Sequence, residues 1–389
     1  MRRALLPVAL LCVFCLAWPR VLRAWAEPDL EPILHHAALH PLAAGLARHQ
    51  LAVWADQAPA ASAARAREAN PEWDFMGRTF LAWSAANLAL RDPAHGAEHL
   101  AAMDRLIART LDLEARHGFR HFLMAYGQGD GYLARPARSL FVDGEVALML
   151  ALRRLVEDRP EERALLQARL AVMEQRLRES PLLAAESYPD ECWTFDHANA
   201  MAAFRIADVL DGSDHSQLIA GWLRVARARL VDPATGLLVS SYHLDGTVKD
   251  GPEGSTIWLT AHALDLVAPA FAADQYARAR RYLDHSIAGF WVAREWPAGG
   301  AAQPDIDSGI QLPLVEASPS SSAFALMAAA HFGDREALGG LLASLTFAAF
   351  PVHDDTGAHF AASNAVGDSV ILYALTLGPA WDRVKRGRP

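Results

Sequence analysis

Apolar residues in this chain crowd into six short, alanine-rich stretches, each opened by an acidic residue, a glycine or a serine. They are WDFMGRTFLAWSAANLAL from Trp73, VDGEVALMLALRRL from Val142, FDHANAMAAFRIAD from Phe195, GSTIWLTAHALDLV from Gly254, SSAFALMAAAHFGD from Ser321 and GDSVILYALTLG from Gly367. A helix that is apolar on every side is a buried one. Between them run more polar stretches, at 35–55, 95–116, 160–179, 214–230, 273–289 and 334–346. HLAAMDRLIARTLDLEARHG, from His99, shows their pattern of one apolar stripe and one charged face. The turn signals RDPAHG, EDRPEE, LDGSDH and HFGDRE separate the members. Strand-like alternation is almost absent. A buried helix alternating with a half-exposed one, six times over, predicts an all-α (α/α)6 barrel, with a buried inner ring and an outer ring packed around it. An open solenoid of helical pairs is the alternative, and it fits less well with long Gly- and Pro-rich loops before alternate helices.

In such a ring the inner helices all run the same way, so their N-termini gather at one end. The loops ahead of them, 117–142, 180–195, 231–255, 290–320 and 347–366, hold most of the unusual chemistry: YGQGDGYLARPARS, ESYPDECWTF, SSYHLDGTVKDGPEGS, REWPAGGAAQPDIDSGIQLP and HDDTGAHFAASNAVGD. Long loops over one face of a rigid scaffold are where binding sites usually sit.

Composition narrows the class. The chain has 389 residues, is 52% hydrophobic and carries a formal net charge of −9, enough for one large core. No basic run and no basic–aromatic stripe occurs, which argues against a nucleic-acid partner. Arg2 and Arg3 precede an uncharged apolar stretch from Ala4 to Trp18, and Ala24 and Ala26 fit a small-x-small cleavage site. The stretch is shorter than the roughly 20 residues of a membrane span. Residues 1–26 therefore read as an export signal, or as a membrane anchor if uncleaved, since Arg20 and Arg23 follow the stretch. Residues 27–380 read as one barrel domain and 381–389 as a basic flexible tail. The expected location is periplasmic or secreted. Cys12 and Cys15 fall in the signal, which leaves Cys192 alone and without a disulfide partner. No metal-ligand spacing or cofactor motif is present, so neither metal nor cofactor is expected.

The chemistry lies in carboxylates. Asp74, Asp143, Glu145, Asp196 and Asp368 each fall near the start of a predicted inner helix. Helix capping accounts for any one of them, because Asp accepts from free helix N–H groups and suits the positive end of the dipole. Several converging on one cavity suggest catalysis instead. Glu145, followed by Val146 and Leu148, is the candidate proton donor, since burial raises a carboxyl pKa. Asp196 is the candidate base or nucleophile, kept ionised by helix N–H groups and shielded by Trp193 and Phe195. Tyr242 is the third candidate catalytic group, positioning a substrate oxygen. Tyr188, Asp190, Trp193, His197, His243 and Asp307 are the candidate substrate-binding residues. Two carboxyls with split pKa values can run glycoside cleavage, dehydration or proton shuttling.

The segments YPDECWTFDHANAMAAFRIADVLDGSDH and LVDPATGLLVSSYHLDGTVK resemble the linalool dehydratase/isomerase family, which pairs a similar PD loop and inner helix with a DP–G–SYH–G–VK loop. DPAHG and GEVALMLAL match more loosely. The resemblance spans about residues 70–375 and is densest over 186–249. It implies an exported bacterial α/α barrel, often a homo-oligomer, that dehydrates and isomerises a terpene alkenol without a cofactor. The family's two catalytic cysteines correspond here to Ser187 and Asp196, and a family histidine to Glu145. The tyrosine is kept as Tyr242. Carboxylates thus stand where the family has thiols.

Three function classes remain open. One is a cofactor-independent lyase/isomerase acting at the C–O bond of an alcohol. The second is a glycoside hydrolase using paired carboxylates. The third is a non-catalytic protein that binds a glycan or lipid. The partner is a small molecule in each case, an alkenol or terpenoid, or a saccharide.

Overall fold

The computed structural model describes residues 13, 17–26, 28–36, 38–55, 65, 67–287, 289–299 and 308–387. Its frame is a closed double ring. The inner helices are α2 (Pro71–Arg91), α4 (Leu140–Val156), α6 (Thr194–Asp211), α8 (Gly254–Leu264), α10 (Pro319–His331) and α12 (Ala365–Thr376). The outer helices are α1 (Pro41–Ala55), α3 (Gly96–His117), α5 (Pro160–Glu179), α7 (Ser216–Arg229), α9 (Pro269–Tyr282) and α11 (Arg335–Ala348). Each inner helix packs on the next, and α12 returns to α2 to close the circle. This is the (α/α)6 barrel that the hydrophobic pattern predicts.

The burial follows the pattern. Every side chain of α2 from Gly77 to Ala89 is buried, and so is every one of α4 from Leu140 to Leu155. On the outer helix α3 only His99, Ala102, Met103, Leu106, Ile107 and Thr110 are buried, a single stripe of helical spacing. Small side chains let the inner helices approach closely. A Cβ at Gly144 of α4 would lie 3.4 Å from the backbone oxygen of Asp196 on α6. Phe80 of α2 reaches Phe324 of α10 and Tyr373 of α12, with ring centroids 5.7 and 5.8 Å apart, so part of the ring's interior is solid.

The two ends of the barrel differ. Connections from inner to outer helices are short: 92–95, 157–159, 212–215, 265–268 and 332–334. Connections from outer to inner helices are long and carry small sheets. β1 (Cys192–Trp193), β2 (Ser241–Tyr242) and β3 (Val248–Asp250) form an antiparallel sheet, with Cys192 opposite Tyr242. β4 (Asp284–Ile287) pairs with β5 (Phe290–Ala293), and β6 (Pro351–Asp354) with β7 (Gly357–Phe360). The long loops therefore do assemble over the inner-helix N-termini.

Two expectations are corrected. The outer helix expected over 273–289 ends at Tyr282, and the chain turns into the β4–β5 hairpin. Gly289, at φ 89°, supplies the left-handed turn, and the strand-favouring run Phe290-Trp291-Val292 builds the second strand. Residues 381–385, expected in a flexible tail, belong to α13 (Pro379–Lys385). Trp381 is buried and stacks on His262 at 4.6 Å, the Ala380 amide donates to Asn87 Oδ1 at 3.1 Å, and Lys385 pairs with Asp265. The helix packs against α2, α4 and α6 at the end opposite the long loops.

Gly254 opens α8 and donates its amide to the Glu295 carbonyl at 2.7 Å. A Cβ there would run into the Arg294 carbonyl and the Ser321 hydroxyl. Gly254→Ala is therefore expected to cost about 2 kcal/mol, as overpacking against fixed backbone does. A urea midpoint unchanged from wild type would contradict this packing.

Candidate active site

Four of the six inner helices are capped by neutral side chains, and α6 and α8 have no side-chain cap. Asn70 accepts from the Glu72 amide at 2.8 Å, Ser139 from Val142 at 3.4 Å, Ser318 from Ser321 at 3.2 Å and Asn364 from Gly367 at 2.9 Å. The first-turn carboxylates are thus released from capping. Asp74 is bound instead by Arg78, with Nη2 at 2.8 Å, and Asp143 by Arg138 and Arg169, with Nε at 2.9 Å and Nη1 at 2.6 Å. Both are neutralised ion pairs within the scaffold.

Glu145 and Asp196 have no such cation. Glu145 is wholly buried, and neither carboxyl oxygen has a hydrogen-bond partner among the described residues. Burial pushes its pKa up to about 8. The nearby Thr79 hydroxyl opposes that shift weakly, because it donates to the Met76 carbonyl at 3.0 Å and makes no close bond to the carboxyl. Asp196 is also buried, and its pKa is raised well above the ordinary range, first by burial and then by the charges of Glu145, Glu72 and Glu191. The Ser187 hydroxyl donates to its Oδ2 and pulls the other way, while Oδ1 is unpartnered. Asp196 caps nothing, which corrects the expectation that helix N–H groups keep it ionised. The physical reason is depth: it lies inside the first turn of α6, where desolvation outweighs the dipole.

A buried carboxylate without donors is costly, so burial favours the protonated form of both groups. Glu145, with no donor to its anion, is the better proton holder. On Asp196 the Ser187 hydroxyl favours the anion, although burial outweighs it. The two carboxyls stand on inner helices that pack on one another, Glu145 on α4 and Asp196 on α6, and the Glu145 charge is among the causes that raise the Asp196 pKa.

The loop before α6 sets this geometry. Glu186 accepts from the amides of Leu133, Ala134 and Asp190, each at 2.8 Å, and so fixes the loop's path. The Ser187 carbonyl accepts from the Ser139 hydroxyl at 2.7 Å, which ties the cap of α4 to the residue that holds Asp196. Tyr242 is brought beside Cys192 by the β1–β2 pairing, and its hydroxyl lies 3.3 Å from His197 Nε2. Burial raises the Tyr242 pKa, with Cys192 and Asp196 adding to the shift, so it stands as a neutral donor near the pair.

The other candidate binding residues divide. His197 receives the Ala185 amide on Nε2 at 3.0 Å and faces the Trp193 carbonyl with Nδ1 at 2.7 Å. Nδ1 therefore carries the proton, and burial lowers the pKa to about 4. His197 is a neutral bracket beneath Tyr242, with both nitrogens engaged by the protein. Tyr188 accepts from the Met124 amide at 3.3 Å and stacks on Tyr126 at 4.6 Å, so it packs the loop over Gly127. Trp193 is nearly buried, edge-on to Phe195 at 5.9 Å, with its indole N–H unpartnered. Asp190 and His243 form a half-exposed pair 3.3 Å apart on the rim. Asp307 lies outside the described residues.

Sequence reasoning passed over two further features at this end. Glu253 and Glu295 are buried carboxyls whose pKa values rise, Glu253 to about 8, through burial. Both are hydrogen-bonded: Ser308 donates to Glu253 at 2.5 Å, and Ser318 to Glu295 at 2.7 Å. They organise the loop ahead of α10. A cavity of about 520 Å³ also opens where α1, the start of α2, β7 and the start of α12 meet. Gln50, Trp73, His359 and Asp368 line it, and of these only Asp368 stood out in sequence. Among the described residues, no group of three or more His, Cys, Asp or Glu side chains is placed to hold a metal ion.

No family model matches this sequence, including any for the alkenol-transforming family that the PD and SYH segments resemble, and no curated protein matches it. Solved structures do. The GH76A α-1,6-mannanase from Salegentibacter sp. HEL1_6 is similar with a TM-score of 0.54 at 11% identity, covering 92% of this chain and 100% of that one. An inactive variant of that mannanase, with two aspartates replaced by alanine and α-1,6-mannotetrose bound, gives 0.50 at 10% identity over the same shares. A family 105 glycoside hydrolase from C. acetobutylicum gives 0.49 at 12%, covering 79% of this chain and 94% of that one. At these identities the likeness is one of fold.

Proposed function

We propose that this protein is an enzyme that cleaves a C–O bond by carboxyl acid–base chemistry, and that a glycosidic bond is its leading substrate. The observation that carries the reading is the Glu145–Asp196 pair, buried, uncapped and free of cations at the loop-bearing end of the barrel. Glu145 would give its proton to the glycosidic oxygen as the bond to the anomeric carbon breaks. Asp196 would meet the positive charge at that carbon, either by bonding to it or by taking a proton from an attacking water. Tyr242 would orient the sugar oxygen. The shared fold with a mannanase that binds α-1,6-mannotetrose supports a saccharide.

A second reading rests on the enclosure of the pair. Both carboxyls are closed from solvent, and Asp196 acts electrostatically on the buried Cys192 and Tyr242, surroundings that suit a small apolar alcohol. Glu145 would protonate the hydroxyl so that it leaves as water, and Asp196 would remove a proton from the adjacent carbon to give the diene. Return of water at the other end of the allyl system would give the isomeric alcohol. Incubating purified protein with α-1,6-manno-oligosaccharides, other oligosaccharides and C10 alkenols separates the cases. New reducing ends are expected. Diene formation alone would replace the first reading with the second, and binding without turnover of any of them would make this a binding protein.

Export completes the proposal. The segment before Glu27 would be removed, along with the exposed Arg23 contact to the Gly289 carbonyl at 3.2 Å. Sequencing of the protein recovered outside the cytoplasm should start near Glu27. Recovery of an intact N-terminus in the membrane fraction would mean that the segment is an anchor. No helix among the described residues is long and apolar enough to cross a membrane.

A further inference from the structure

Besides the half-buried His359, whose Nδ1 has no hydrogen-bond partner among the described residues, two fully buried residues line the 520 Å³ cavity with hydrogen-bonding capacity that those residues leave unused. Gln50 is one. Its Oε1 accepts from the Trp54 indole at 3.1 Å and from the Ser369 hydroxyl at 3.2 Å. That fixes the amide, since an oxygen must face two donors. Nε2 then presents its hydrogens elsewhere, and it has no partner among the described residues although Gln50 is 1% exposed. Asp368 is the other. Oδ2 receives the Phe360 amide at 3.4 Å, the nearby Ser363 hydroxyl donates to the Asn364 carbonyl at 3.3 Å, and Oδ1 has no partner at hydrogen-bond distance among the described residues, although Asp368 is 3% exposed. One wall thus offers an oriented donor, another an oriented acceptor. Both atoms are thus available to hydrogen-bond whatever enters the cavity.

The charge balance says what. Arg65 and Asp368 both line the cavity, one formal charge of each sign. The stacked rings of His49 and His359, centroids 4.7 Å apart, add a flat surface. His49 is held toward its neutral form by burial and by His359. Trp73, 39% exposed, contributes an accessible indole. A lining with one charge of each sign favours a neutral ligand over a charged one. A neutral ring bearing adjacent hydroxyls gains both hydrogen bonds and an aromatic face, because each hydroxyl accepts and donates.

We propose that this cavity is a sugar subsite: it holds one neutral pyranose ring of the substrate, with Gln50 Nε2 donating to one hydroxyl, Asp368 Oδ1 accepting from another, and Trp73 covering a face. The proposal deepens the glycosidase reading and rests on it only for the link to cleavage. That link is α2, whose first turn places Trp73 on the cavity and which packs against α4, the helix that carries Glu145.

The test is calorimetric titration of the full chain with α-1,6-mannotetrose, cellotetraose and maltotetraose. Gln50→Glu keeps an oxygen for Trp54 and Ser369 but removes the donor. Trp73→Ala removes the exposed ring, and it carries the test alone if Gln50→Glu fails to fold. At least one tetrasaccharide should bind wild type, with a Kd at least ten-fold weaker in each variant. Where that sugar is turned over, KM should rise with kcat largely kept. Unchanged Kd values in both variants, or no binding of any tetrasaccharide to wild type, would overturn the subsite. The two proposals fail separately. Binding that the variants weaken, with no hydrolysis of any sugar, keeps the subsite and removes the glycosidase. Hydrolysis abolished by Glu145→Gln, with binding indifferent to Gln50 and Trp73, does the reverse.

Discussion

Glu145→Gln is expected to fold, to lose at least about 100-fold in turnover, and to be more stable than wild type above pH 8. The three outcomes have one source. Glutamine matches the carboxyl in shape but cannot donate a proton of the required acidity, and loss of a general acid typically costs 10²- to 10⁴-fold. The stability change follows from linkage. The carboxyl pKa is about 8 in the folded protein against an ordinary value of 4.5. As pH rises, the unfolded chain gives up this proton first. The stabilisation is therefore fully present below about 4.5, falls through the interval and is lost above 8. The full swing is on the order of 5 kcal/mol, taking about 1.4 kcal/mol for each pH unit. Glutamine removes it. Melting temperature against pH should fall steeply for wild type between pH 5 and 8 and much less steeply for Glu145→Gln. Parallel curves would mean that Glu145 is not a protonated, buried acid, and the mechanism built on it would fail.

The double ring was legible because it rests on the strongest signal a chain carries, the spacing of apolar side chains. Six all-apolar helices can be buried together only as an inner layer, and the charged faces of the others leave one place for them. Glu145 was legible for the same reason, as a carboxyl set inside an apolar run. Asp196 was half legible. Its position at a helix start was visible, but Asp196 accepts no helix N–H, and Ser187, nine positions upstream, engages the carboxyl instead. Only the folded loop puts that hydroxyl there. His197 looked like a binding group because a histidine beside an aspartate is chemically suggestive. Its ring is consumed by Ala185 and Trp193, backbone partners that no side-chain pattern announces. The cavity was not legible at all. Gln50 and Asp368 meet only when the first outer helix closes against the last inner one, and their shared neighbour Ser369 lies 319 residues from Gln50. Trp381 was hidden by its surroundings, since a basic segment with one indole reads as a tail until that indole is seen stacked on His262.

Asp196→Asn and Ser187→Ala should separate the base from the residue that positions it. Asn keeps an oxygen to receive the Ser187 hydroxyl and adds no charge to a buried site, so the fold should survive with a melting temperature near that of wild type. Because Asp196 caps no helix, any change in stability reports on its own burial and not on helix ends. Turnover should fall at least 100-fold, since the amide can neither accept the proton nor bond to the anomeric carbon. Ser187→Ala should behave differently. The hydroxyl favours the Asp196 anion, so its loss raises the Asp196 pKa further. The low-pH limb of the kcat/KM profile reports protonation of that base and should move to higher pH, while the plateau rate stays within a few-fold of wild type. A merely structural serine would lower the whole profile without moving the limb. If Asp196→Asn retains full turnover, the base lies elsewhere, and Glu253 becomes the next carboxyl to replace, since it too is a buried acid at this end, with its pKa pushed up to about 8. If Asp196→Asn is inactive but the Ser187→Ala limb stays in place, Asp196 is the base and its anion is stabilised by something other than the Ser187 hydroxyl.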